Sequence, residues 1–337
     1  MISVLLPVRN AAATLPAALK SLLSQTHADF ELLVLDDGSD DGGRTWEVIE
    51  TATRCDARIR PVRLPHEGIA RTLAAGLKMA RGERIARMDA DDTCHETRLE
   101  LQAAFLDAHP DIGLVGCLAR FGGNPTRAAG YNHHLEWTNS LVTPEQIALG
   151  RFRESPLPHP TVMFRAEMVR RHGGYVHGPF PEDYELWLRW LDAGVRMAKV
   201  PEYLVTWNDP PDRLSRTDPR YAPHRFHRLK APYLARYLAR TNPFHPAIQV
   251  MGAGRITRKR AEMLCEHGVV IEGWWDIDPD KVGRAVGGRP VHHRDDLPPA
   301  GSCFLVSYVG SRGAAEDIAA FVAGRGYVLG RDFLPAA

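Results

Sequence analysis

The sequence is poor in cysteine, in net charge and in long apolar runs. Its 337 residues hold five cysteines (Cys55, Cys94, Cys117, Cys265 and Cys303), scattered and without a C-x-x-C pair. That excludes a disulfide scaffold and a cysteine-built zinc cage. Formal net charge is +1, from 42 Lys and Arg against 41 Asp and Glu. Overall charge therefore does not suit the chain to nucleic acid. No uninterrupted apolar run approaches the ~18 residues of a membrane-spanning helix. The opening MISVLLPV has no basic stretch ahead of its apolar residues, unlike a secretory leader. These absences lead to the expectation of a cytoplasmic protein. With 44% hydrophobic and 25% charged residues the chain is an ordinary globular one. Its length suits two domains of roughly 150 residues each.

What is present first is a repeated β-α pattern. Ile2–Val8 is an almost continuous apolar run, as in a strand covered on both faces. Leu15, Ala18, Leu19, Leu22 and Leu23 then share one helical face. Further strands are expected at 30–35, 58–63 and 84–88, and helices at 44–54 and 69–80. Such alternation implies an α/β fold, with a mainly parallel sheet and helices on both sides. Residues 122–134 are crowded with Gly, Pro, Asn and His and read as irregular. A strand returns near 161–164, and a helix follows in which Tyr184, Trp187, Leu188 and Leu191 share a face. The stretch 208–246 reads as a connector with a basic helix. The β-α pattern restarts at 247. The expected division is 1–220, a connector helix over 221–246, and a small Rossmann-like α/β domain over 247–337.

Ligands of parallel α/β sheets bind beyond the carboxyl ends of the strands. Two acidic clusters stand there, Asp36-Asp37-Gly38-Ser39-Asp40-Asp41 and Asp89-Ala90-Asp91-Asp92. Carboxylates so close repel one another unless a cation or hydrogen bonds intervene. Oxygen-only ligands suit Mg²⁺ or Mn²⁺, which commonly bridge one or two carboxylates to a substrate diphosphate. Either cluster can also be read as helix caps or turn formers. Thr93 and Glu96 form a T-x-x-E capping box that would leave the second cluster free.

SVLLPVRN, LLVLDDGSDDG and ARMDADD, in that order, resemble the strand-end motifs of family 2 glycosyltransferases with the GT-A fold. HPTVMFR (159–165), GGY (173–175) and PEDYELWLRW (181–190) extend the resemblance to about residue 215. The resemblance implies that Pro7, Val8 and Arg9 line the nucleobase and ribose. It implies that Asp37 hydrogen-bonds the base, usually uracil. Asp89 would hold the ribose side of the donor, and Asp91 and Asp92 the Mn²⁺ or Mg²⁺ on the diphosphate. Asp183 of Glu182-Asp183 would be the catalytic base; its competing reading is a helix N-cap. His159 would face the donor or acceptor, or serve as a satisfied core residue. The segment from Trp207 to Ser215 loosely resembles the family's loop that closes over the diphosphate, so Arg213 or Arg216 would contact a phosphate or else be a solvated surface arginine. The implied activity is inverting transfer from a nucleotide-sugar, UDP first among them, to a saccharide or lipid-linked hydroxyl in surface polysaccharide or glycolipid synthesis.

Two features lie outside that pattern. Residues 223–240, PHRFHRLKAPYLARYLAR, place Phe226, Leu229, Tyr233, Leu234, Tyr237 and Leu238 on an apolar stripe between arginines. The stripe suits either a peripheral contact with the inner face of a membrane or packing on its own domain. Gly252-Ala253-Gly254 opens a helix after a strand, with Asp276 and Asp278 at the end of the next. That arrangement suits a phosphate-cradling loop, but Thr257 stands where a third glycine belongs, and a structural or interaction role is the favoured reading. Two alternatives rest on other function classes. One is an NAD- or S-adenosylmethionine-dependent enzyme working through this second domain. The other is a non-catalytic sugar-nucleotide-binding module. The sequence sets no oligomeric state.

Overall fold

The computed structural model describes residues 1–211, 213–311 and 313–337. The chain forms two compact units, Met1–Ala148 with Pro156–Pro219, and Leu149–Ser155 with Arg220–Ala337.

The first unit begins with β1 (Ile2–Val8), α1 (Leu15–Leu23), β2 (Phe30–Asp37), α2 (Arg44–Cys55), β3 (Ile59–Leu64), α3 (Ile69–Met79) and β4 (Arg84–Arg87). It continues with β5 (Thr93–Cys94), α4 (Arg98–Ala108), β6 (Ile112–Phe121), α5 (Ala129–Ser140) and α6 (Pro144–Gly150), whose last two residues already belong to the second unit. After the boundary segment come β7 (Met163–Arg165), α7 (Ala166–His172), α8 (Glu182–Asp192), β8 (Arg196–Trp207) and α9 (Leu214–Thr217). The sheet order is β3-β2-β1-β4-β7-β6-β8-β5. The first four strands are parallel, and β7 runs antiparallel between β4 and β6. β8 is parallel to β6 and antiparallel to β5.

Alternation along β1 shows why both faces are covered. Ile2, Val4, Leu6 and Val8 pack with Leu15, Leu22, Ile49, Leu99 and Leu106 on one side. Leu5 packs on the other with Leu33, Leu35, Leu73, Trp187 and Trp190. On that side α3 comes so close that a Cβ on Gly76 would lie 2.5 Å from a Leu35 methyl. This mainly parallel sheet with helices on both sides is the expected architecture.

Three local expectations change. Residues 122–134 are not wholly irregular, because α5 starts at Ala129 and buries Leu135 and Thr138. Its apolar residues are too sparse to mark a helical face. The capping box is absent: Thr93 belongs to β5, and α4 starts only at Arg98, with Thr97 at its N-cap position. Strand pairing of Thr93 with Thr206 overrides the local capping signal. The expected 161–164 strand is a 3₁₀ turn over His159–Thr161 followed by β7.

The second unit holds α10 (Pro223–Thr241), β9 (Ala247–Met251), α11 (Arg255–Ala261), β10 (Val270–Asp276), β11 (Ala285–Val286), β12 (Arg289–His293), β13 (Leu305–Ser307), α12 (Ala314–Gly324) and β14 (Phe333–Pro335). Its sheet order is β11-β12-β10-β9-β13-β14, parallel except for the β11–β12 hairpin. The helix expected as a connector is part of this unit's core. Ala231, Leu234, Ala235 and Leu238 of α10 are buried with Ile248, Val250, Trp274 and Phe152. The apolar stripe is thus largely spent within the unit. Among the described residues no helix is long and apolar enough to cross a membrane.

Lys230 explains why 149–155 joins this unit. It is 1% exposed, and its Nζ donates to the Arg153 carbonyl at 2.9 Å and the Ala336 carbonyl at 2.6 Å. Burial pulls its pKa down to about 7. The unfolded chain, with an ordinary lysine near 10.5, then binds more protons than the folded one between those values. Stability therefore gains from this group as pH rises from 7. We expect Lys230→Met to flatten that rise, read by urea unfolding at pH 7, 8 and 9. Equal slopes in the two proteins would refute the assignment.

Candidate active site

Four strand ends and one helix start supply the site. The loops after β1 and β2 are stitched together. The Asn10 N–H donates to Ser39 Oγ at 3.0 Å, and Asn10 Nδ2 to Asp40 Oδ1 at 2.6 Å. Arg9 lies 3.6 Å from Asp40 and is substantially exposed. Pro7 is half-buried, while Val8 is 2% exposed within the core, so its side chain does not face a ligand. Asp36 accepts from the Ser39 N–H and hydroxyl at 3.0 and 2.6 Å. Asp37 takes the N–H groups of Glu67 and Gly68 at 3.0 and 3.1 Å and faces His66 Nδ1 at 2.9 Å. Both oxygens of Asp37 thus fasten the turn ahead of α3. His66, half-exposed beside it, gave no signal in the sequence.

The loop after β4 gathers Asp89, Asp91 and Asp92, whose carboxylate oxygens lie within 4.8 Å of one another. Asp92 is 1% exposed. Its Oδ1 accepts the Asn208 N–H at 2.7 Å, while its buried Oδ2 has no hydrogen-bond partner. Asn208 also donates from Nδ2 to the Asp91 carbonyl at 2.7 Å. Burial and the Asp89 charge raise the Asp91 pKa to about 6. Asp92 is pushed well above the usual carboxylate range by burial and by both neighbours. Converging oxygens with one orphaned acceptor are a donor set that fits a hard divalent cation. Asp89 pairs with Arg87, the last residue of β4.

The segment after β8 brings cations to these carboxylates. Arg213 is mostly buried, 3.7 Å from Asp209, with its guanidinium 3.9 Å over the Trp207 ring and 5.5 Å over that of Tyr131. Its charge holds down the pKa values of both Asp91 and Asp92. Arg216 pairs with Asp209 at 2.7 Å and lies 4.6 Å over Tyr131. Tyr131 was not legible as a site residue, because its sequence neighbourhood is irregular.

Glu182 and Asp183 open α8. Asp183 sits inside the first turn, because Pro181 occupies the N-cap position, and its Oδ1 accepts the Tyr184 N–H at 2.7 Å. Burial, then the charge of Glu182, raises its pKa to about 7. Glu182 is 2% exposed, with its Oε1 3.7 Å from His159 Nδ1. The other ring nitrogen of His159 meets the Tyr175 hydroxyl at 2.8 Å. Burial and the charge of Arg87 pull the His159 pKa down to about 4, so it is neutral at pH 7. His159 therefore sits behind Glu182 as a satisfied buried residue. The GGY segment is bound to α8. Arg189 Nη2 donates to the Gly174 carbonyl at 2.7 Å, and Trp190 Nε1 to that of Gly173 at 3.0 Å.

The glycine loop of the second unit is arranged differently. Gly252 has φ +94°, and a Cβ there would lie 2.6 Å from a Val309 methyl. The Ala253 N–H donates to Asp276 Oδ2 at 2.7 Å, and the Asp278 N–H to Asp276 Oδ1 at 3.0 Å. Glycine loop and acid therefore hydrogen-bond to each other, and Val309 packs closely against Gly252. The Ala253 N–H, one of the donors a phosphate cradle would use, is thus taken by Asp276.

A sequence profile described as glycosyl transferase family 2 matches residues 3–173. The O-antigen biosynthesis glycosyltransferase WbnJ of Escherichia coli is 28% identical over 214 residues, covering 61% of this chain and 79% of WbnJ. The crystal structure of S. aureus TarS 1–349 in complex with UDP-GlcNAc is 19% identical with a TM-score of 0.57, over 79% of this chain and 70% of that one. The mannosyltransferase PcManGT from Pyrobaculum calidifontis, in complex with GDP-Man and Mn²⁺, is 19% identical with a TM-score of 0.51, over 71% of this chain and 63% of that one.

The crowded carboxylates predict a stability effect. A group whose folded pKa is raised destabilises the fold once pH passes from its unfolded value through the folded one. In metal-free buffer at pH 7.5, Asp91→Asn should therefore stabilise the protein by about 1–3 kcal/mol. It should also abolish any rise in melting temperature on adding Mn²⁺. Thermal unfolding with and without the ion checks both.

Proposed function

We propose, starting from the fact that this chain belongs to glycosyl transferase family 2 with the GT-A fold, that it moves a hexosyl or N-acetylhexosaminyl group. The donor is a nucleoside-diphosphate sugar, UDP-linked in the first instance. The acceptor is a saccharide or lipid-linked hydroxyl in surface polysaccharide synthesis. The observation that carries the reading is the Asp89, Asp91 and Asp92 cluster with its orphaned buried oxygen. The similarity to WbnJ, a glycosyltransferase of O-antigen biosynthesis, and to TarS, which binds UDP-GlcNAc, supports surface polysaccharide synthesis from a UDP-linked donor.

Asp91 and Asp92 are the residues that would hold Mn²⁺ or Mg²⁺, whose contribution when bound is Lewis-acid stabilisation of the leaving diphosphate. Arg213 stands beside them as a fixed cation for a phosphate oxygen. Arg9, at the joined loops after β1 and β2, faces the nucleoside. Asp183 takes the proton of the acceptor hydroxyl as it attacks the anomeric carbon from the side opposite the diphosphate, which inverts that centre. A carboxyl held near 7 is matched to that task at neutral pH. Cytoplasmic action belongs to the same reading, with exposed arginines of α10 such as Arg228 available to an anionic membrane surface.

The test pairs binding with turnover. UDP, GDP, dTDP and CMP are screened by thermal shift with and without Mn²⁺, then the matching sugar donors are tried for transfer. A metal-dependent shift with one diphosphate is expected. Asp183→Asn should keep that shift and lose ~10²–10⁴-fold in transfer rate. Transfer near the wild-type rate would remove Asp183 from the mechanism. Wild-type kcat should fall as pH drops below about 7, where Asp183 becomes protonated.

A further inference from the structure

Arg87 is 2% exposed at the end of β4, and its buried Nε makes no hydrogen bond. A guanidinium so deep is expensive to keep unless its charge is needed where it lies. The strand end is fixed on two sides. The Arg87 N–H donates to the Val162 carbonyl at 3.0 Å, and its own carbonyl accepts from Arg98 Nη2 at 2.8 Å. From there the side chain pairs with Asp89. On the acceptor side stand Glu182 and Asp183. Their buried neighbours His159 and Tyr175 are both neutral at pH 7, His159 because burial and Arg87 lower its pKa, Tyr175 because burial raises its own. Neither can offset a carboxylate charge. The charge of Arg87 is felt at Asp183, Tyr175 and His159, and Glu182 acts back on Arg87.

We propose that Arg87 is a positioning residue that couples the two halves of the site, fixing the Asp89 carboxylate on the donor side and offsetting the Glu182–Asp183 charge on the acceptor side. The proposal rests on the transferase reading above. The groups bearing on Asp183 are Glu182 on its own helix, Arg87 from β4 and Tyr175 from the segment before α8, with His159 behind Glu182. An arginine that only filled space would change stability when replaced and leave the protonation of Asp183 where it was.

The test compares Arg87→Met and Arg87→Lys with wild type in steady-state transfer across pH 5.5 to 9, using the donor and Mn²⁺ found active above. Arg87→Met should raise donor KM about tenfold and move the acidic limb of kcat up by about one pH unit. Arg87→Lys keeps the charge and loses the fork, so it should restore the limb while leaving KM raised. A folded Arg87→Met protein with wild-type KM and limb overturns the proposal, as does an Arg87→Lys limb displaced as far as that of Arg87→Met. Should Arg87→Met fail to fold, Arg87→Lys decides alone. Raised KM with an unmoved limb supports the proposal, and wild-type KM overturns it. A wild-type protein silent with every donor overturns the transferase reading and this proposal with it, whereas an active wild type beside unaltered variants overturns only the proposal.

Discussion

The first unit is organised around like charge held in a poorly solvated place. Asp91 and Asp92 after β4, and Glu182 and Asp183 at the start of α8, lie where water is largely excluded. In such surroundings each carboxylate raises the free energy of the next. What makes the arrangement tolerable is a scaffold that does not give way. Strands packed on both faces fix where each loop starts, and backbone N–H groups such as those of Asn208 and Tyr184 take up single oxygens. The acids are left under-compensated, and a site of this kind favours ligands that bring positive charge.

The sequence made the β-α order plain because helices and parallel strands leave strong, distinct periodicities. The acidic loops were legible for the same reason, since strand ends point to them. Side-chain roles were less so. Val8 looks like a ligand-facing residue only until alternation along β1 turns it into the core. Asp37 stands at the right strand end, yet its oxygens go to a turn some thirty residues further on, a partner that no local pattern announces. Asp183 reads as a cap because Asp caps helices, but Pro181 already begins the helix one residue ahead of Glu182. Arg87 had no motif of its own, since a buried cation declares itself only through what surrounds it.

The two units treat the loop after a strand of a parallel sheet in opposite ways. In the first, the loops leave carboxylate oxygens without partners, as at Asp92. In the second, Gly252, Ala253 and Asp276 complete one another's hydrogen bonds and contacts. Loops at the ends of parallel strands therefore leave an acceptor open in one unit and close their polar groups on one another in the other.

The path of the chain has a practical consequence. Because Leu149–Ser155 clusters with Arg220–Ala337, the second unit is written in the sequence as two pieces separated by more than sixty residues of the first. A fragment cut at 220 would lack Phe152, which lies in that unit's core, and the carbonyl of Arg153 that Lys230 holds. The second unit is therefore not a cassette that a single cut can release or a single fusion can transplant. During synthesis its earliest piece has nothing of its own unit to pack against until α10 has been made, since Phe152 meets Tyr237 and the Arg153 carbonyl meets Lys230.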